Sequence, residues 1–244
     1  MPFDRLHAYF RSKGFEPFAF QLLAWERTAN RVHQLIQCPT GSGKTLAATG
    51  AMIEKFLANP QAEGVRLLYV TPLRAMTKDL ELALKDPLVE SKVRVLSRNG
   101  DTSAKDRASL FRQPPQILMT TPESLSVILS SPKSQALFAS LESVVIDEWH
   151  DLMASKRGVQ MSLCLQRLLR FSADVTITGV SATLKDPKAA LEVLLPMGVD
   201  GELSEAEINR VVSLSIAESG EDGRLHCAGH LGLSLLNGVC QHFV

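Results

Sequence analysis

The chain has 244 residues, 45% hydrophobic and 21% charged, enough to bury a substantial core in one globular domain or one plus a fragment, and too apolar for a disordered chain. Lysine plus arginine and aspartate plus glutamate balance at 26 each, so no global field announces a polyanion or a membrane, and any polyanion site must be a local patch. No apolar run approaches the roughly 18 residues needed to cross a bilayer, the start MPFDRLHAYFRSKG mixes charges into its apolar residues unlike a secretory signal, and Cys38, Cys164, Cys227 and Cys240 form no C-x-x-C pair. A soluble, cytoplasmic protein with reduced thiols and no membrane partner is expected.

In chain order, Leu6, Tyr9 and Phe10 form a small helix face stopped by Gly14. PFAFQLLAWERTAN then reads as a second helix opened by Pro17. From residue 32 onward VHQLIQ, VRLLYV, VRVLSR, QILMTT, SVVID and VTITGVS are candidate strands, each unbroken enough to be buried on both faces. Between them GKTLAATGAMIEKFLAN, LRAMTKDLELALKD, SAKDRASLFRQ, PESLSVILSS and GVQMSLCLQRLLRF carry apolar residues at helical spacing. Repeated strand, helix, strand units of this size predict an α/β fold with a mostly parallel sheet covered by helices. After about residue 200 the pattern loosens into a strand and a glycine-rich apolar helix that do not make a complete domain.

CPTGSGKT, residues 38 to 45, falls between a strand and a helix, the context a phosphate-binding loop requires. Gly41 and Gly43 let the backbone turn tightly, so that N–H groups from Thr40 to Thr45, with Ser42 among them, point at phosphates from a helix N-terminus. Lys44 would reach the β- and γ-phosphates and the Thr45 hydroxyl would ligate magnesium. The general loop pattern has glycine where Cys38 stands, and the Pro-Thr-Gly-x-Gly-Lys-Thr form resembles that of one class of helicases.

VVIDEWHD, residues 144 to 151, follows roughly a hundred residues later and sets two carboxylates at the end of an apolar strand. Taken alone it could be a transition-metal site, an acid/base pair or the magnesium end of a nucleotide site. Beside a phosphate loop, Asp147 is placed to hold magnesium and Glu148 to polarise the attacking water. A zinc site of the H-E-x-x-H kind needs two histidines, and only His150 stands here.

DEWH, PTGSGKT and SAT at 181 to 183 together resemble a superfamily 2 helicase of the DExH-box group. YVTPLRAM, NGDTSAKDR, TTPESLSVIL and DEWHDLMASKRGVQ resemble more narrowly the Lhr (large helicase-related) type and the bacterial ligase-associated DExH helicases. The resemblance covers nearly the whole chain, and even CAGHLGLSLL resembles the family's passage from its first RecA-like domain toward the second. It implies a three-layer RecA-like P-loop domain, with N-terminal helices at 1–30, the ATP-binding helicase domain at 31–205 and a crossover segment at 206–244.

The resemblance also assigns roles. Gln21, with Phe15 and Phe18 upstream, corresponds to an adenine-recognition element, the alternative being that Phe15, Phe18 and Trp25 are core. His150 is implied to contact Ser181 and Thr183 and so couple the nucleotide site to domain movement; the alternative is a purely structural histidine. Arg74, Gly100 with Asp101 and Thr102, and Thr120 and Thr121 with Pro122 and Glu123 resemble elements that track a nucleic-acid backbone, at the carboxyl edge where parallel sheets bind ligands. Each alone also describes a common helix start. Lys156 and Arg157 either touch DNA or cap a loop. His226, Cys227, His230, Cys240 and His242 match no zinc-ligand spacing.

The cofactors implied are ATP and magnesium. The partner implied is DNA, single-stranded or as unwound duplex, with an RNA–DNA hybrid as a further candidate, and the ligase-associated group adds a DNA ligase and a nuclease. No later strand–helix series and no Q-x-x-R-x-x-R-like run follows, so the chain reads as the ATP- and DNA-binding first half of a helicase, inactive as a motor without a second domain. Two alternatives stand beside this reading: a self-sufficient P-loop phosphotransferase and a non-catalytic nucleic-acid-binding fragment.

Overall fold

The computed structural model describes residues 2–61, 63–72, 77–100, 102, 104–182 and 184–206. Arg74, Asp101, Thr183 and the cysteine- and histidine-bearing tail lie outside them, as does the 206–244 segment apart from Ala206. Seven strands form one wholly parallel sheet: β1 (His33–Gln37), β2 (Leu67–Val70), β3 (Val95–Arg98), β4 (Ile117–Thr120), β5 (Ser143–Ile146), β6 (Thr176–Ser181) and β7 (Gly201–Glu205). Their spatial order is β3-β4-β2-β5-β6-β1-β7. Ten α-helices accompany them among the described residues: α1 (Asp4–Ser12), α2 (Ala19–Ala29), α3 (Lys44–Ala58), α4 (Thr77–Lys85), α5 (Ala104–Arg112), α6 (Pro122–Leu129), α7 (Ser134–Phe138), α8 (Trp149–Met153), α9 (Lys156–Phe171) and α10 (Pro187–Leu194).

Alternation along the strands divides the core. Ile36, Leu67, Tyr69, Met119 and Val145 pack with α1 to α4 on one face, while Leu35, Leu68, Val70, Val144 and Ile146 pack with α5 to α10 on the other. Fully burying a Leu, Ile or Val side chain is worth about 1.5–3 kcal/mol. A strand apolar on both faces is therefore stable only between two helical layers. The one-sided placement of α3 and α4 against α5 to α10 follows from right-handed crossovers running first one way along the sheet and then the other.

Local chemistry sets the helix starts. Thr121 caps α6 by accepting from Ser124 N, with Pro122 in the first turn; Ser155 caps α9 by accepting from Arg157 N; Asp186 caps α10 by accepting from Ala189 N. Gly14 turns the chain at φ 76° after α1. Within α3, a Cβ on Gly50 would overlap the Trp25 indole, so this glycine lets α2 lie close enough for Trp25 Nε1 to donate to the Leu46 carbonyl at 2.8 Å.

Two expectations need correction. The VRVLSR strand is not buried on both faces: β3 is an edge strand whose four residues are all half-buried. Pro17 does not open α2, which begins at Ala19 behind Phe18 as N-cap, with Gln21 reaching back to the Phe18 N–H. The helices α7, α8 and α10 were not among the expected helices, whereas a strand was expected, without bounds, after about residue 200, where β7 forms the sheet's other edge.

Candidate active site

The carboxyl ends of β1, β5 and β6 bring the phosphate loop, the DEWH segment and the SAT segment together. Cys38 N donates to Ser181 O at 3.0 Å, continuing the β1–β6 ladder into the loop. Gly41 and Gly43 take φ of 68° and 83°, and a Cβ on Gly43 would also meet Gln21 Nε2 at 2.6 Å. Ser42 is buried and donates to Pro39 O at 2.6 Å, closing the loop on itself. Its hydroxyl therefore shapes the loop from inside.

Lys44, the first residue of α3, extends to Glu148 Oε1 at 3.0 Å, an ion pair between two largely buried side chains. Asp147 Oδ1 accepts from Glu148 N and Oδ2 from the Tyr69 hydroxyl, each at 2.9 Å. Burial raises the Asp147 carboxyl above its usual value, the Tyr69 hydrogen bond opposing the shift and the Glu148 charge adding to it. Glu148 sits at φ 47°, ψ 48°, a left-handed conformation costly for a residue with a Cβ, and the turn starts α8 directly behind the strand. These groups line a cavity of ≈ 410 Å³ with Thr40, Gly41 and Thr45, closed on one side by Asp79, Leu80 and Ala83 of α4.

His150 Nδ1 lies 3.0 Å from Ser181 Oγ and 3.5 Å from Glu148 Oε2, while Nε2 is 3.4 Å from Asp151. The histidine thus stands between Glu148 and the SAT segment. Gln21 is buried, accepting from Phe18 N at 2.9 Å and donating to Gly43 O at 3.2 Å, so one lone pair and one proton of its amide are engaged by the fold. Trp25 is core, whereas Phe15 and Phe18 are exposed at 68% and 51%, leaving their rings open to a planar ligand.

Beyond this cluster, Thr120 donates to Arg98 O at 2.7 Å and Thr121 caps α6; both are buried, so their hydroxyls serve the fold. Gly100 is an exposed turn residue shortly after β3. Arg157 reaches Glu123 Oε1 at 2.5 Å and Pro72 O at 3.4 Å, joining the ASKRG, TTPES and TP segments. Sequence reasoning missed both this link and Tyr69. The signal for Tyr69 was a lone phenol in an aliphatic strand, which must find a partner when buried.

A second cavity, also ≈ 410 Å³, opens at the amino edge of the sheet, but its charges satisfy one another: Glu142 is held by Lys55 and Arg66, and Arg31 by Asp174. Among the described residues no three His, Cys, Asp or Glu side chains could together hold a metal ion, and no helix is long and apolar enough to cross a membrane.

The family model of the DEAD/DEAH box helicase matches residues 18–191, from the N-cap of α2 into α10. The chain belongs to the DEAD/DEAH box helicase family. Within it, the ATP-dependent helicase Lhr-Core of Methanocaldococcus jannaschii is 35% identical over 204 residues, 77% of this chain and 24% of that protein. The Lhr helicase/uracil glycosylase of Escherichia coli is 37% identical over 193 residues, 70% of this chain and 12% of that protein. Among solved structures, helicase Lhr of Mycobacterium smegmatis bound to ssDNA and AMP-PNP superposes with a TM-score of 0.78 at 28% identity, covering 99% of this chain and 32% of that one. The chain is thus a helicase domain related to the Lhr ATP-dependent helicases, RecA-like in fold, and spans about a quarter or less of those curated relatives' length.

Proposed function

We propose that this domain binds ATP with magnesium at the carboxyl edge of β1 and β5, and a DNA strand along the neighbouring loops, as the first RecA-like half of an ATP-dependent DNA helicase. The observation that carries the reading is the convergence of Lys44, Thr45, Asp147, Glu148 and His150 with Ser181 around and beside one cavity. The Lhr of Mycobacterium smegmatis, solved with ssDNA and AMP-PNP, supports both ligands.

Thr45 and Asp147 offer a hydroxyl and a carboxylate, hard oxygen donors of the kind magnesium takes one or two of beside phosphate and water. When bound, magnesium neutralises charge on the β- and γ-phosphate oxygens. Lys44 exchanges Glu148 for the phosphates, since both are anionic partners within its reach. Glu148, released from the lysine, accepts the proton of the attacking water. His150 senses that change of partner at Glu148 and passes it to Ser181 at the end of β6. Phe15 stacks on the base and Gln21 uses its remaining proton and lone pair on the adenine edge. Arg157 and the backbone of the Thr120–Thr121 turn meet DNA phosphates. The ligase-associated resemblance extends the proposal to DNA repair in the cytoplasm, with a ligase and a nuclease as partners.

A partner domain's arginine is worth on the order of 10³ to 10⁵ in phosphoryl-transfer rate. The 244-residue chain should therefore release phosphate barely above background, whereas a chain extended through a second RecA-like domain should gain DNA-stimulated turnover. Glu148→Gln in the extended chain should abolish that gain. Vigorous DNA-independent turnover by the short chain would overturn the reading in favour of the phosphotransferase.

A further inference from the structure

Tyr69 is the third residue of β2, paired with Val145 of the adjacent β5, and its ring is wholly buried on the α1–α4 face. Its three companions in the strand, Leu67, Leu68 and Val70, are aliphatic. An aliphatic residue at 69 would satisfy the packing, and a phenol there brings a hydroxyl that must be hydrogen-bonded.

That hydroxyl has a partner assigned above to magnesium: it donates to Asp147 Oδ2 at 2.9 Å. A phenol carries one proton and an ionised carboxylate has none to give, so the direction is fixed: Tyr69 donates to Asp147. Asp147, with Glu148 N on one oxygen and Tyr69 on the other, is held from both sides with a lone pair still free on each oxygen.

We propose that Tyr69 is a positioning residue for the magnesium site, a buried hydroxyl that orients the Asp147 carboxylate. This rests on the magnesium reading of Asp147. Partners of this kind, which touch the ligands and not the ion, typically change metal affinity 10- to 100-fold when removed.

The test is the magnesium concentration that half-saturates binding of a fluorescent ATP analogue, compared with binding of the same analogue in EDTA. Tyr69→Phe keeps the ring and removes only the hydroxyl; folding is checked by circular dichroism. Its magnesium half-saturation should rise about 10- to 100-fold. In an Asp147→Asn background, where the acceptor is already altered, Tyr69→Phe should add little, because residues acting through one contact are not additive. An unchanged half-saturation, a full additive shift in the double variant, or an equal loss of binding with and without magnesium would each overturn the role. Should the variant not fold, 3-fluorotyrosine can label the two tyrosines of the intact chain, with Tyr9→Phe giving the assignment. The Tyr69 fluorine resonance should move when magnesium is added to the nucleotide-bound protein, and an unmoved resonance overturns the proposal. Wild-type binding that ignores magnesium would instead sink the metal reading beneath it.

Discussion

The carboxyl edge of this sheet holds two neighbouring polar regions built on opposite terms. Around the phosphate loop, Lys44, Asp147, Glu148, Gln21 and Tyr69 are largely buried, and each is tied to another member of the set or to the loop backbone. Beside the TTPES segment, the buried hydroxyls of Thr120 and Thr121 are turned into the fold, and the charged pair on the surface, Arg157 with Glu123, is about 45% and 43% exposed. A buried pair is costly to break by removing one partner. An exposed pair is worth only about 0–1 kcal/mol. The phosphate-loop end is therefore preorganised, each charge held by a buried partner, whereas the arginine at the loop end is held only by an exposed pair.

The largest effect should come from breaking the buried end. Lys44→Ala removes the cation that holds Glu148 now and would hold phosphates later. Truncating one partner of a buried hydrogen-bonded charge pair costs about 2–5 kcal/mol, much of it the penalty of the charge left behind. Titrating a fluorescent ATP analogue should show affinity falling by about two and a half orders of magnitude, the middle of that range at about 1.4 kcal/mol per tenfold. Equal affinity in wild type and variant would mean that the phosphates do not sit on this loop.

The loop end should respond more weakly, with opposite signs for its two partners. Arg157→Ala should lower affinity for single-stranded DNA and flatten the log–log salt slope by about 0.7, the value of one phosphate contact. Glu123→Gln should raise affinity, because it removes the competitor that holds the arginine at 2.5 Å. Neither should shift the thermal midpoint by more than about 1 kcal/mol allows, given the exposure of the pair. Two losses of affinity would show that the pair organises the loop as a unit and that Arg157 is not a phosphate ligand.

The same contrast explains what could be read from the chain. The central strands announce themselves because a strand covered on both faces reads as an apolar run; the edge strand β3 is legible from its composition although only half-buried, whereas β7, the other edge, has no apolar run. The helix α10 was overlooked although Asp186 and Pro187 make a regular start signal. Motif residues at the phosphate loop and in DEWH are legible because the chemistry dictates their local order. Pairings are not, because they join distant positions: Lys44 to Glu148 across 104 residues, Tyr69 to Asp147 across 78, Arg157 to Glu123 across 34. Only the sheet order, which sets β2 beside β5 and β6 beside β1, brings them within reach.

The smallest expected effect lies at the opposite edge of the sheet and serves as a control on both ends. His33, the first residue of β1, accepts a hydrogen bond at Nδ1 from Ile177 N at 3.0 Å, so this nitrogen must carry no proton. Burial lowers its pKa below the usual 6.5. Protonation is then easier in the unfolded chain than in the folded one. The stabilisation from the neutral ring is fully present above pH 6.5 and is lost as the pH falls from there toward the folded pKa. His33→Asn keeps an acceptor near the Nδ1 position and removes the titration. Thermal midpoints of the two proteins should run parallel from pH 8 to about 6.5 and diverge below it, with the wild type falling faster. Carboxylates elsewhere titrate in both proteins and cancel in the difference. Because β1 also carries the phosphate loop at its other end, nucleotide affinity measured over the same range shows whether the edges communicate: a loss in the wild type alone would mean that protonating His33 shifts β1 against β6.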